Sequence, residues 1–250
     1  MTQVKNNPLE QTVDELRQFN SSLLLSISLF HLLGYGLLVL ALFDLIEMFV
    51  PVQFMNPVWE FQTIGGIVER VPVPLIGLVL VFLGEFNGRS KWEVPLLKFL
   101  SWSTLLAGVL FFLLIPLGIV NTMRIEKQNN TQITTQVEEQ MTQMQQVKNA
   151  LEQATTSTEM EQLLSTLDSQ GRTPEIKDVQ QLEKMKEKLS DFIASGEKDI
   201  KTQAKENLSS RRWVLLKSSV KWNLGALISS FLFISIWRGT SWARDNNYES

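Results

Sequence analysis

Apolar residues in this chain fall into long uninterrupted blocks, except between the last two blocks, where they thin to one residue every third or fourth position. Residues 23–43 and 99–120 each hold about 20 residues of lipid-compatible sequence, enough for a helix rising ~1.5 Å per residue to cross ~30 Å of hydrocarbon. A shorter block, residues 71–86, opens on Pro72 and Pro74 and closes on Gly84-Glu85. It predicts a second span that is short or bounded by a thinned interface, with a re-entrant segment as the alternative. A last block, residues 219–237, lies among Trp213, Trp222, Trp237 and Trp242, which mark both interfaces. The pattern predicts an all-α fold: a four-span helical membrane protein, with spans at about 22–43, 71–86, 99–120 and 219–237 and a short tail to residue 250.

Between spans three and four, residues 121–213 are polar, and both ends continue directly into spans. This segment must leave the bilayer and return, which predicts a long extramembrane helical hairpin. Ile133, Val137, Met141, Met144, Val147 and Leu151 recur at steps of three and four, the spacing of an outgoing amphipathic helix with a narrow seam. Thr156 with Glu159 reads as a capping box for a short helix carrying Met160, Leu163, Leu164 and Leu167. Thr173-Pro174 then starts a return helix through Ile176, Val179, Leu182, Met185, Leu189, Phe192, Ile193 and Ile200. The result is a coiled-coil arm whose contacts are expected at Met141, Met144, Leu151, Leu182, Leu189 and Phe192, with Gly196 its weakest helical point.

Residues 1–21 predict an N-terminal amphipathic segment at the bilayer surface, because Pro8 suits a first turn and Leu9, Val13 and Leu16 share a face. Residues 48–70 contain Pro51, Pro57, Trp59, Phe61 and Gly65-Gly66. Aromatic residues among prolines and glycines predict a loop at headgroup level, with Trp59 as an interfacial anchor or a contact for a partner. Ser101, Thr104 and Gly108 on span three, and Ser219, Asn223, Ala226 and Ser230 on span four, form small polar faces suited to close helix packing.

Charge and candidate chemistry narrow the function. With 23 Lys and Arg against 26 Asp and Glu, a net −3, the chain has no general attraction to nucleic acid, and no nucleic-acid partner is expected. The absence of Cys excludes disulfides, thiolate metal sites and Cys nucleophiles, and a single His excludes a multi-His site, so no metal is expected. No phosphate loop, His-Glu-x-x-His motif or nucleophile elbow occurs, and neither catalytic residues nor an enzyme activity is expected. His31 shares a face with Ser28 and Tyr35, which points to an interhelical hydrogen bond; ligation of a pigment or haem is the alternative. Among short segments, Lys5, Arg17, Arg89, Lys91, Lys98, Arg238 and Arg244 outweigh Arg70, which places both termini in the cytoplasm. Arg124, Lys127, Arg211, Arg212, Lys217 and Lys221, where the arm meets the bilayer, pull the other way.

The stretches Asn56-Pro57-Val58-Trp59, Gln62-Thr63-Ile64-Gly65, Val68-Glu69-Arg70-Val71-Pro72-Val73-Pro74 and Leu75-Ile76-Gly77 resemble the HpsJ-like family of cyanobacterial membrane proteins. The likeness extends to about Ile125 and, in layout, over the arm. It implies a non-enzymatic accessory protein of a cyanobacterial plasma or thylakoid membrane, linked to hormogonium polysaccharide production and gliding motility. The leading reading is an integral membrane scaffold or accessory subunit whose arm meets a protein partner complex; its other contacts are membrane lipid and, as an open option, a homo-oligomer. A subunit or assembly factor of a thylakoid photosynthetic complex is one alternative. A small-molecule or ion transporter is another, disfavoured because only His31 supplies a titratable group within a span.

Overall fold

Pro8 occupies the first turn of α1, Pro8–Met48, and no proline follows it before the helix ends. The Asn20-Ser21-Ser22 step lowers helix propensity without breaking the hydrogen-bond ladder, so α1 runs unbroken for 41 residues. The surface segment expected at the N-terminus is thus continuous with the first span. The computed structural model describes residues 8–84, 92–167 and 178–244, and every element among them is helical. After α1 come α2 Pro57–Arg70, α3 Pro72–Val81, α4 Glu93–Gln153, α5 Ser157–Leu167 and α6 Val179–Gly239, then a 3-10 turn at Ser241–Ala243. Four stretches are long and apolar enough to cross a membrane: Ser26–Met48, Pro57–Val81, and segments of α4 and α6. This is an all-α membrane protein.

The loop expected over residues 48–70 is helical from Pro57 onward. Asn56 caps α2, its Oδ1 accepting from the backbone N–H of Val58 at 3.1 Å and Trp59 at 3.4 Å, and Pro57 takes the position where a missing N–H costs nothing. Val71, itself in the helical region, joins α2 to α3. Gly65 and Gly66 do not break the helix; Trp222 and Met48 occupy the space beside them. Glu69 and Arg70 are the last charges of this stretch, and the sequence from Pro72 to Gly84 carries none. Arg70 lies beside Asp44 and Gly84 beside Ile27, so α3 and the turn after it run antiparallel to α1 over about 26 Å. The returning chain thus covers most of a bilayer's thickness, which a re-entrant dip would not.

The chain divides into two compact units, Met1–Met123 with Lys217–Ser250, and Arg124–Leu216. In the first, Val68, Leu78, Val81, Leu97, Phe111, Ala226 and Phe233 form the buried core, with Phe111 and Phe233 stacked at 5.4 Å. α4 and α6 are antiparallel there. Ser101, Gly118 and Thr122 face Thr240, Asn223 and Ser219 respectively, the same residue intervals run backwards. Pro116 sits inside α4 without ending it. The second unit has its own core of Leu151, Ala154, Met160, Leu182 and Ile193.

Candidate functional site

The arm is built from one seam. Leu151 and Leu182 are buried, Met141, Met144 and Leu189 are half-buried, and Met144 reaches Gly196 on the return helix. Phe192 departs from the expected seam: it is 73% exposed, while its neighbour Ile193 is 6% exposed and joins the core. A seam that steps by three or four leaves adjacent apolar residues ambiguous in phase, and the structure resolves the pair in favour of Ile193. The start of the return helix expected at Thr173-Pro174, with Ile176, lies outside the described residues; the described helix begins at Val179.

α5 closes the same core, with Met160 fully buried. It starts with the reciprocal cap its sequence promises: Glu159 N–H donates to Thr156 Oγ1 at 3.3 Å, and Thr156 N–H donates to Glu159 Oε2 at 3.0 Å. A further bond from Thr155 N–H, at 2.8 Å, reaches the same oxygen. The backbone N–H groups of Thr155 and then Thr156 hold the Glu159 carboxyl below its ordinary range. Near the other end of this unit, Arg212 Nε pairs with Glu126 Oε1 at 2.9 Å.

In the first unit, His31 is buried and its Nε2 lies 2.7 Å from the backbone oxygen of Leu83. A carbonyl only accepts, so Nε2 carries the proton in this bond, which ties α1 to the turn after α3. Trp59 packs edge-on against Phe54 at 5.8 Å and Phe49 at 6.3 Å, an aromatic cluster formed between the end of α1 and the start of α2.

Small polar side chains close the α4–α6 contact. Ser101 and Thr240 share a 2.8 Å hydrogen bond, Ser230 donates to Gly108 O at 2.8 Å, and the hydroxyls of Thr122 and Ser219 share a bond of 2.8 Å. Arg244 Nη1 donates at 2.6 Å both to Ser101 Oγ and to Trp237 O, while its guanidinium lies 4.6 Å from the Trp237 ring. Sequence spacing locates the small-residue faces but gives no sign of a second cluster, in which Lys221 Nζ meets Glu69 Oε1 at 2.6 Å and Trp222 Nε1 meets the same oxygen at 3.0 Å. These partners are about 150 residues apart, beyond any local pattern. Among the described residues, no group of three or more metal-ligating side chains is gathered.

A family model described as HpsJ-like protein matches residues 25–241, most of the chain, including all four apolar stretches and the arm. No curated protein and no solved structure matches.

Proposed function

We propose that this chain, which belongs to the HpsJ-like family, works as a non-catalytic membrane scaffold or accessory subunit whose helical arm contacts a partner complex. The observation that carries this reading is the second unit. It holds 93 residues, Arg124–Leu216, outside the apolar stretches and has a core of its own. A segment that maintains its own core and a polar exterior suits presentation to another protein. Phe192 and Val179, 73% and 69% exposed on the return helix, are the apolar side chains such a partner would cover.

The partner complex is one of cyanobacterial polysaccharide production and gliding motility, in the plasma or thylakoid membrane, with both termini of the chain in the cytoplasm. Support for that orientation is the Lys and Arg excess of the short segments. Isolation in a mild detergent, followed by mass spectrometry of co-purifying chains, tests the partner: polysaccharide-export proteins are expected and photosynthetic subunits would overturn it. Replacing residues 122–210 by a short flexible linker should leave a protein that inserts but rescues no motility. Full rescue by that armless chain would sink the scaffold reading. Single-Cys labelling decides orientation in this Cys-free chain, a Cys at Gln143 being reached from outside and one at Ser250 being protected.

A further inference from the structure

We propose that a cleft between α1 and the α2–α3 joint binds one glycerophospholipid, an acyl chain lying along its apolar wall and the phosphate resting on Arg70. The cleft measures about 260 Å³, and Leu38, Leu42 and Leu45 of α1 face Ile67, Pro74 and Phe111 across it. It is bounded at both ends by close contacts. At one end α1 and α3 touch, a β-carbon on Gly34 falling 2.8 Å from Gly77 O and one on Gly77 falling 3.1 Å from Leu38. At the other end Met48 lies over Gly66, 3.0 Å from where a β-carbon would be. Between these two closures Ala41 contributes only a methyl to the α1 wall, beside Leu42 and Leu45, and leaves the gap unfilled.

The polar rim sets the occupant's chemistry. Arg70 lines the cleft at the point where the uncharged section of the second span begins, level with Asp44. The preceding residue, Glu69, is paired with Lys221 of α6. These charges define one height on three helices, which is where a lipid phosphate would lie. Glu69 is engaged by Lys221 and Trp222, and Arg70 forms no ion pair among the described residues. Its one hydrogen bond, a long 3.5 Å contact, goes to the backbone carbonyl of Asp44 rather than to a carboxylate. A guanidinium has five donors in a planar fork, so most of them remain available to the two free oxygens of a phosphodiester. A phosphate there meets a charge-assisted bond, while its chain covers leucines that would otherwise line a gap.

The test uses the full chain in mild detergent, incubated separately with phosphatidylglycerol and with a diacylglycerol of the same chains, with bound lipid counted by native mass spectrometry. One phosphatidylglycerol per chain should survive detergent washing, with diacylglycerol lost. Arg70→Gln should reduce retention about tenfold, the scale of one charge-assisted contact. Ala41→Trp fills the cleft without touching the charge and should reduce retention as much; it decides the question if Arg70→Gln does not insert. Arg124→Gln, a basic residue outside this unit, should change nothing. Equal retention of diacylglycerol, or full retention by Ala41→Trp, would overturn the proposal.

Discussion

The indole of Trp222 fills the space that a β-carbon on Gly65 would need, and its Nε1–H reaches Glu69 on the same helix at 3.0 Å. Phe61 completes the contact, 4.6 Å from the Trp222 ring. The indole is rigid and is tied to α2 by both Phe61 and Glu69, so it has less room to yield than the tip of a flexible side chain. Gly65→Ala is therefore expected to cost about 1–3 kcal/mol, the range for forcing extra volume into a packed site. It should lower the thermal unfolding midpoint in detergent, and an unchanged midpoint would show that the ring is not fixed there.

Gly196 poses the same steric question with the opposite expected answer. The atom its β-carbon would meet is the terminal methyl of Met144, the far end of a flexible side chain that can swing aside. Helix propensity then dominates, and Gly196→Ala should stabilise the arm by up to about 1 kcal/mol. A destabilised arm, read by amide hydrogen exchange along α6, would mean that Met144 is locked.

Ile193 and Phe192 separate packing from recognition. Ile193→Ala should cost roughly 2–5 kcal/mol of arm stability through the cavity it leaves. Phe192→Ser should stay within about 0.5 kcal/mol, as at exposed sites, while reducing recovery of the partner. If Phe192→Ser unfolds the arm and Ile193→Ala does not, the seam has the other phase.

Acid should loosen the start of α5. Its capping bonds favour the Glu159 carboxylate in the folded state, so their stabilisation is present above the ordinary glutamate pKa of about 4.3 and is lost as pH falls through the lowered folded value. Protection of the Thr155 and Thr156 amides, measured against their intrinsic exchange rates at each pH, should fall over that window, and Glu159→Ala should show the lower protection already at neutral pH. Protection independent of both changes would mean that the box does not form.

Features written in adjacent residues were legible in the sequence. Thr156 and Glu159 announce their cap three positions apart, and His31 finds the interhelical bond its polar face implies. The helix from Pro57 to Arg70 was obscured because Gly65-Gly66 and the prolines read as breakers, although Asn56-Pro57 with Glu60 in the first turn is a helix start. What those glycines serve is set by Trp222 and Met48, one of them more than 150 residues away, and no window along the chain contains that information. The Lys221–Glu69 pair was out of reach for the same reason.

The hydroxyls on α4 have a consequence for how the protein is made. Thr122 and Ser219 lie 97 residues apart, so at about 5–20 residues per second the third span is finished on the order of 5–20 s before its partner emerges from the ribosome. During that interval bare polar groups in lipid would be costly. Thr104 and Thr122 donate to Ser101 O and Gly118 O within their own helix, at 2.6 and 2.8 Å, so both are satisfied before the fourth span arrives. Ser230 and Arg244, which reach across to the older helix, belong to the later-made segment. Thr104 and Thr122 thus wait in local bonds, Ser101 gains its partners Thr240 and Arg244 only from the later-made segment, and that segment brings the Ser230 and Arg244 donors that join the two.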